Sequence, residues 1–279
     1  MTHLVAIILG FVEGATEFIP ISSSGHLIIA RHLLGVNDAG GLAFDAVIQL
    51  ATACALLVYF YKDIVRLSVV AWLWLTRKPI EAQEKVLLYS IVLGTIPAVF
   101  FGLLLQKKME TVFRNIHLVA LMLVFGSLLF LYAEHISKIS KNKHKLHGHH
   151  GEEDYHPLTL TRGIRIGFYQ CLALFPGFSR SGATISGGLI EGLTMGDAVR
   201  FSFLLSLPIL FGAGFKELFS LRHVLFSTGY GSSLLLGSIV AFITGLVAIN
   251  FLMKYLKNHT LQVFIWYRIA LAVVLFFFF

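Results

Sequence analysis

Two clusters of reactive side chains stand out along the chain, each beside a helix-breaking residue. In the first, Glu13 and Glu17 precede Pro20, and the run Ser22-Ser23-Ser24-Gly25-His26 follows it. The two glutamates are four apart, so on a helix they share one face and can hold a divalent cation between them. Three hydroxyls and the free N–H groups of a helix start form a site for an oxyanion. His26 stands one turn beyond Ser23 and is expected to reach its hydroxyl. A Ser–His pair of this kind suits nucleophilic attack on phosphorus, with the imidazole taking and returning the proton. The bland alternative for the serines is helix capping.

The second cluster is Pro176-Gly177-Phe178-Ser179-Arg180-Ser181-Gly182-Ala183-Thr184. Arg180 keeps its charge at any physiological pH, and its planar fork matches phosphate oxygens two at a time. Ser179, Ser181 and Thr184 can surround the same anion. The competing reading is an arginine snorkelling to lipid headgroups, which the flanking glycines and three hydroxyls argue against.

The two clusters are copies of each other. With an offset of 157 positions and no gap, Gly10–Leu50 aligns with Gly167–Leu207, with ten identities in 41 positions that include Ser22 with Ser179, Gly25 with Gly182 and Gly35 with Gly192. Where the copies diverge, Glu13 becomes Gln170, Glu17 becomes Leu174, Ser23 becomes Arg180 and His26 becomes Ala183. Carboxylates and imidazole stay in the first copy, and a guanidinium takes their place in the second. This asymmetry suggests one active site shared between two halves.

The elements that carry these residues follow from the apolar pattern. Leu4–Phe18 reads as a helix, Pro20 interrupts it, Ser22–Ser24 supply N-cap chemistry, and Gly25–Leu34 forms a second short helix that Gly35 can end. Gly163–Phe175 and Ala183–Glu191 repeat the plan around Pro176-Gly177, with Gly192 as the stop. Pieces of about 15 and 10 residues fall short of the roughly 20 needed to cross a bilayer, so each pair is expected to be a re-entrant hairpin. Longer apolar runs at Leu42–Tyr61, Val86–Leu105, Ile116–Ala133, Phe201–Phe215, Tyr230–Met253 and Leu261–Phe279 read as six crossings.

The composition agrees. With 57% apolar residues, 13% charged residues and a mean hydropathy of +0.80, the chain has too little polar surface for a soluble domain of its length. The runs are helix-length and not the alternating ten-residue segments of a barrel, so the expected class is an all-α integral membrane protein. In a membrane a charged side chain costs about 2.5–3.5 kcal/mol on insertion scales, which makes Glu13 and Glu17 functional candidates. The net charge of +7 sits in loops, with no basic and aromatic groove, and this excludes a nucleic-acid partner. Loops Lys62–Lys85, Ser137–Arg165 and Lys254–Thr260 hold five, six and two Lys or Arg, against three in Gln106–Asn115 and two in Lys216–Gly229. The first set is therefore expected on the cytoplasmic side and both termini on the outer side. The early apolar segment carries two Glu and no cleavage-type small-residue site, so it does not read as a removable signal peptide.

One membrane domain is expected, with a first repeat at about 1–135, a hydrophilic linker at 136–161 and a second repeat at about 162–279. One hairpin and three crossings per repeat is an odd number, so the copies should insert upside down relative to each other. His144, His147, His149, His150 and His156 in the linker match no structural zinc spacing and read as part of a solvated loop. Cys54 and Cys171 read as reduced packing residues. Asp45 and Gln49 share a helix face and are weaker cavity candidates. Arg268, within the last crossing, has no partner that the sequence can name. Glu191 reads as interfacial, and a homodimer is left open.

Glu13-Gly-Ala-Thr-Glu17-Phe-Ile-Pro-Ile-Ser-Ser-Ser-Gly-His26 and Pro176-Gly-Phe-Ser-Arg-Ser-Gly-Ala-Thr184 resemble the two signature motifs of the bacterial undecaprenyl-diphosphate phosphatase family of the bacitracin-resistance type. The resemblance extends to Ile48-Gln49-Leu50, Ile96-Pro97-Ala98 and Phe201-Ser-Phe-Leu-Leu205, and so covers essentially the whole chain. It implies removal of the terminal phosphate from a polyprenyl diphosphate lipid, undecaprenyl diphosphate, in the bacterial plasma membrane, leaving the monophosphate that carries cell-wall precursors. It also implies a divalent cation, Mg²⁺ or Ca²⁺, held by Glu13 and Glu17. Ser23 would be the nucleophile with His26 as its acid and base. Glu17 and Arg180 would join the catalytic set, and Ser22, Ser24, Ser179, Arg180, Ser181 and Thr184 would bind the diphosphate from a site open to the outer side. Phosphatases of the phosphatidic-acid type also use Ser-Gly-His and Ser-Arg, but they need a second His shortly after the Arg. Here Ser186 stands six positions beyond Arg180. A transporter remains the non-enzyme alternative, because inverted repeats are a transporter architecture.

Overall fold

The structure, a computed structural model, describes residues 1–36, 41–111, 115–146, 157–227 and 231–278. All of its regular elements are helical. In the first half, α1 spans His3–Glu17, α2 Ser23–Leu33, α3 Gly41–Tyr59, α4 Tyr61–Leu75, α5 Ala82–Thr111 and α6 Ile116–Leu146. In the second half, α7 spans Leu160–Gln170, continued by a 3₁₀ turn at Cys171–Leu174. It is followed by α8 Arg180–Ile190, α9 Met195–Ser227, α10 Gly231–Asn258 and α11 Gln262–Phe278.

Among the described residues, each of the six apolar runs falls almost wholly within a helix. Stretches of α5, α6, α9 and α10 are long and apolar enough to cross a membrane by themselves, and α3 passes the same test together with α4. At 17 residues α11 spans about 25 Å, slightly less than a typical hydrocarbon core. The chain is a multi-pass integral membrane protein whose regular elements, among the described residues, are all helices. Pro97 and Pro208 sit inside α5 and α9, as membrane helices tolerate where neighbours satisfy the freed carbonyl.

The sequence pattern did not indicate α4. The segment after Tyr61 is expected to be a loop because it carries Lys62, Asp63 and Arg66. It instead forms a helix bent 84° from α3, with Val70 its one fully buried residue and Trp72 and Trp74 exposed. Such a helix suits the membrane interface, where indole rings and basic groups find their preferred depth. A second difference concerns the linker. Helix α6 continues to Leu146, through the first part of the hydrophilic stretch, while His147–His156 lies outside the described residues.

Both hairpins close as their sequences require. Ser22 and Ser179 are N-caps whose hydroxyls accept from the N–H of Gly25 and Gly182, each at 3.3 Å. Both hairpins end in the same left-handed glycine, Gly35 at φ 64° and Gly192 at φ 87°. The following N–H reaches back to Arg31 O at 3.0 Å and Gly188 O at 2.9 Å, which satisfies the last carbonyls of each helix.

The halves exchange their first helices. The principal neighbour of α1 is α10 of the second half, and that of α7 is α5 of the first. In each case two glycine backbones meet, Gly10 against Gly237 and Gly167 against Gly94, the small-residue packing that lets membrane helices approach closely. Helices α3 and α9 pack together across the middle, and α6 pairs with α11. The largest apolar cluster, including Phe18, Phe60, Phe130, Phe203 and Ile265, therefore draws on both halves. This interleaving brings the two hairpin breaks face to face.

Candidate active site

The site is assembled at the two breaks. Ser22 and Ser179 each hold a positive φ, 75° and 74°, in a region that side-chain-bearing residues avoid and that clusters at functional sites. This backbone turns the residues that follow, Ser23 and Arg180, onto the first turns of α2 and α8. These are the two positions at which the copies diverge most in chemistry.

Glu17 joins them. The Ser23 hydroxyl donates to Glu17 Oε2 at 2.5 Å, and Arg180 Nη2 donates to Glu17 Oε1 at 2.9 Å. The carboxylate is buried and the arginine nearly so, with side-chain exposures of 5% and 12%. In a medium of low dielectric each charge is tolerated because the other is present. Arg180 Nη1 also reaches Ser206 O at 3.5 Å, but its Nε–H has no partner among the described residues. One donor of the guanidinium thus remains for a ligand. Glu13 lies one turn back on α1, is 2% exposed, and makes no hydrogen bond or ion pair among the described residues.

His26 departs from expectation. It is not on Ser23: its Nδ1–H donates to Ser22 O at 2.7 Å, which in the neutral ring leaves Nε2 to accept from the Tyr267 hydroxyl at 2.6 Å. The two rings are stacked, 5.6 Å between centroids. The physical reason is local: the N-cap carbonyl of α2 lies within one turn of the imidazole and captures it. The group that faces the Ser23 hydroxyl is Glu17, brought back across the break by the α1–α2 turn.

The hydroxyls divide into two sets. Ser22, Ser179, Ser181 and Thr184 are buried and engaged internally, the first two as caps, Ser181 with Ser179 at 3.3 Å, and Thr184 with Ser202 at 2.5 Å. Ser23 and Ser24 are more open. Ser24 Oγ accepts from Gly177 N at 3.3 Å, a direct bond between the two breaks.

Arg268, unassigned from sequence, proves to be a strut between the breaks. It is fully buried and donates to Pro20 O at 3.5 Å and Gly177 O at 3.1 Å, carbonyls at equivalent positions of the two copies. Nε donates to Ser127 Oγ, the Nη2 that reaches Gly177 O is also within reach of Met122 O and Leu123 O, and the guanidinium lies 4.8 Å over the Phe130 ring. No sequence rule identifies a partner that is a backbone carbonyl. Tyr267 escaped notice for a similar reason, because an aromatic in an apolar helix reads as lipid-facing.

The weaker candidates also resolve. Asp45 pairs with Arg31 through two bonds, at 2.6 and 3.2 Å, and ties α2 to α3. Glu191 meets Arg165 at 3.3 Å. Cys54 corrects the expectation of two packed thiols, since it is exposed on the surface of α3, while Cys171 is half-buried; both are free. Among the described residues no three His, Cys, Asp or Glu side chains converge as a metal cage. The available donor is Glu13, because both oxygens of Glu17 are already engaged. One carboxylate is a set that Mg²⁺ could use, since that ion is commonly held by one or two carboxylates with waters and ligand oxygens completing the shell.

Fold and site together define an all-α, multi-pass membrane protein with a part-buried Ser–Glu–Arg chain where two broken-helix hairpins meet. The chain belongs to the family described as bacitracin resistance protein BacA, whose pattern matches residues 6–274. Similar proteins include one from Chlorobaculum tepidum, 43% identical over 275 residues, covering 98% of this chain and 95% of that protein. Another, from Chloroherpeton thalassium, is 42% identical over 279 residues, covering 99% and 96%. A third, from Renibacterium salmoninarum, is 39% identical over 283 residues, covering 99% and 95%. All three carry the name undecaprenyl-diphosphatase.

Proposed function

We propose that this protein is a phosphatase that removes the terminal phosphate of undecaprenyl diphosphate, releasing undecaprenyl phosphate and inorganic phosphate for recycling of the cell-wall lipid carrier. The observation that carries the mechanism is the continuous chain Ser23–Glu17–Arg180, which links the hydroxyl of one hairpin to the guanidinium of the other.

In this reading Ser23 Oγ attacks the terminal phosphorus and passes its proton to Glu17, the group already within hydrogen-bond reach. The bond from phosphorus to the bridging oxygen breaks, and the lipid monophosphate leaves. A water then attacks the phosphoserine, His26 Nε2 taking its proton once Tyr267 yields the position; the phosphorus–Oγ bond breaks, Glu17 returns its proton to Ser23 Oγ, and phosphate departs. Arg180 stabilises the charge on the equatorial oxygens through its unpaired Nε–H and through Nη2, which can move from Glu17 as that carboxylate is neutralised. A divalent cation, Mg²⁺ or Ca²⁺, held by Glu13 would neutralise charge on the diphosphate. The two repeats insert in opposite senses, both termini face outward, and the site opens to the periplasmic side.

A carrier of polyprenyl phosphate is the second reading, supported by the exchanged repeats. It does not explain why Ser23, His26 and Glu17 have no counterparts in the second copy, whereas phosphoryl transfer needs different groups on the two sides of a phosphorus. Phosphate release from undecaprenyl diphosphate by the purified protein in detergent, with and without chelator, tests both readings. The phosphatase releases phosphate and slows on chelation of the metal; a carrier releases none, and that result would overturn the proposal.

A further inference from the structure

The second copy carries a buried polar side chain that the mechanism leaves unused. Gln170 is 2% exposed, and among the described residues neither its amide nitrogen nor its amide oxygen has a hydrogen-bond partner. A buried primary amide with both ends unpaired destabilises a fold, so its presence calls for a ligand.

Its place in the architecture says which ligand. Gln170 is the counterpart of Glu13 at the repeat offset of 157. Both project from the buried face of the first helix of their copy, with Gly10 and Glu13 on α1 and Gly167 and Gln170 on α7. The two helices are seated in the same way, each with a glycine against a glycine of the other half, Gly237 or Gly94. The positions three residues further on must therefore point in equivalent directions relative to the meeting point of the breaks. Glu13 faces that point from the first copy, one turn before the Glu17 that holds Ser23 and Arg180. The repeat assigns Gln170 the same place in the second copy, on the helix that leads into Arg180, whose Nε–H is, with the Ser90 and Ser186 hydroxyls, another buried donor without a partner among the described residues.

The residue types then make chemical sense. A carboxylate at both positions would repel an anion from two sides. The neutral isostere keeps the shape and offers N–H donors instead of negative charge.

We infer that Gln170 binds the diphosphate, its amide N–H donating to a phosphate oxygen from the second copy while Glu13 and its cation act from the first. This rests on the phosphatase reading above. A neutral donor to a phosphate oxygen adds affinity and orientation without taking part in proton transfer.

The test exploits the cost of an unpaired amide. Gln170→Leu removes both polar atoms at similar volume, and Gln170→Met does so with an unbranched side chain. Each is purified in detergent and compared with the unsubstituted protein in three measurements: melting temperature alone, melting temperature with a non-hydrolysable farnesyl methylenediphosphonate, and steady-state phosphate release. The expected result is a melting temperature no lower than that of the parent, kcat/KM reduced at least about tenfold, and a smaller stabilisation by the analogue. Parent-like turnover and a parent-like response to the analogue would overturn the inference. So would a lower melting temperature in both variants, because the amide would then be holding the fold. If instead the parent neither releases phosphate nor responds to the analogue, the phosphatase reading itself fails, which is a distinct outcome.

Discussion

The two hairpins share a backbone and differ in nearly everything the backbone carries. Their second helices, Ser23–Leu33 and Arg180–Ile190, coincide at the 157-residue offset, with caps of the same residue type, matching positive φ and the same glycine stop. In α8 every residue from Ser181 to Leu189 is buried, whereas in α2 only Gly25 and Leu27 are. The first hairpin presents Ser23, Ser24 and its imidazole at a more accessible edge; the second embeds its arginine in the protein. One break can therefore serve as the reacting surface and the other as a rigid anion cradle, a division that suits phosphoryl transfer, where positioning and charge stabilisation dominate.

A local difference in the breaks has a simple origin. Pro176 lies one position earlier in its copy than Pro20 does in the other. A proline pushes the residue before it out of the helical region, and Phe175 is accordingly extended at ψ 114°. The last turn of the first helix thus tightens to 3₁₀ in the second copy and stays α-helical in the first.

If the division of labour holds, Ser23→Ala should have the largest effect, lowering phosphate release at least ~10³-fold while the protein remains folded in detergent. A folded, active Ser23→Ala protein would move the attack from serine to water and remove the chemical distinction between the hairpins. Arg180→Lys comes next, with an expected loss of about 10²-fold or more in kcat, because a point charge cannot serve Glu17 and a phosphate at once. Turnover close to the parent would break the cradle assignment.

The scaffold should respond alike in the two copies. Gly10→Ala and Gly167→Ala each place a methyl against a facing glycine backbone, and each should destabilise by about 1–3 kcal/mol, read as similar drops in melting temperature. Markedly unequal drops would show that the exchanged helices are not equivalent. The smallest effect is expected for Tyr267→Phe, which deletes the hydroxyl on His26 Nε2 and should change kcat by only about fivefold, since one hydrogen bond is lost. A thousandfold loss would place Tyr267 among the proton-transfer groups.

The repeat, the breaks at Pro20 and Pro176, the caps at Ser22 and Ser179 and the glycine stops were all legible in the sequence, because each is enforced within a few residues of itself. The apolar runs were legible because hydrocarbon thickness sets a length that a helix must match. Helix α4 was not, since its charges look like those of a loop when neither the bend at Phe60 nor the interface is known. The candidate site was half legible. Glu13, Glu17, Ser23, Ser24, His26 and Arg180 are conspicuous by type and spacing, but their pairing was misjudged at His26.

What the sequence determined by itself is the inventory: an all-α membrane chain in two diverged copies, with acids, hydroxyls and imidazole in one and a guanidinium in the other. Only the tertiary structure decided who meets whom. Glu17 reaches Arg180 across 163 positions and Arg268 holds the carbonyls of Pro20 and Gly177, because the halves exchange their first helices and bring the breaks together. Local propensity acts over a turn or two of chain, whereas these contacts are fixed by close glycine packing and by the demand that buried charges find partners, and neither constraint names its partner in the linear sequence.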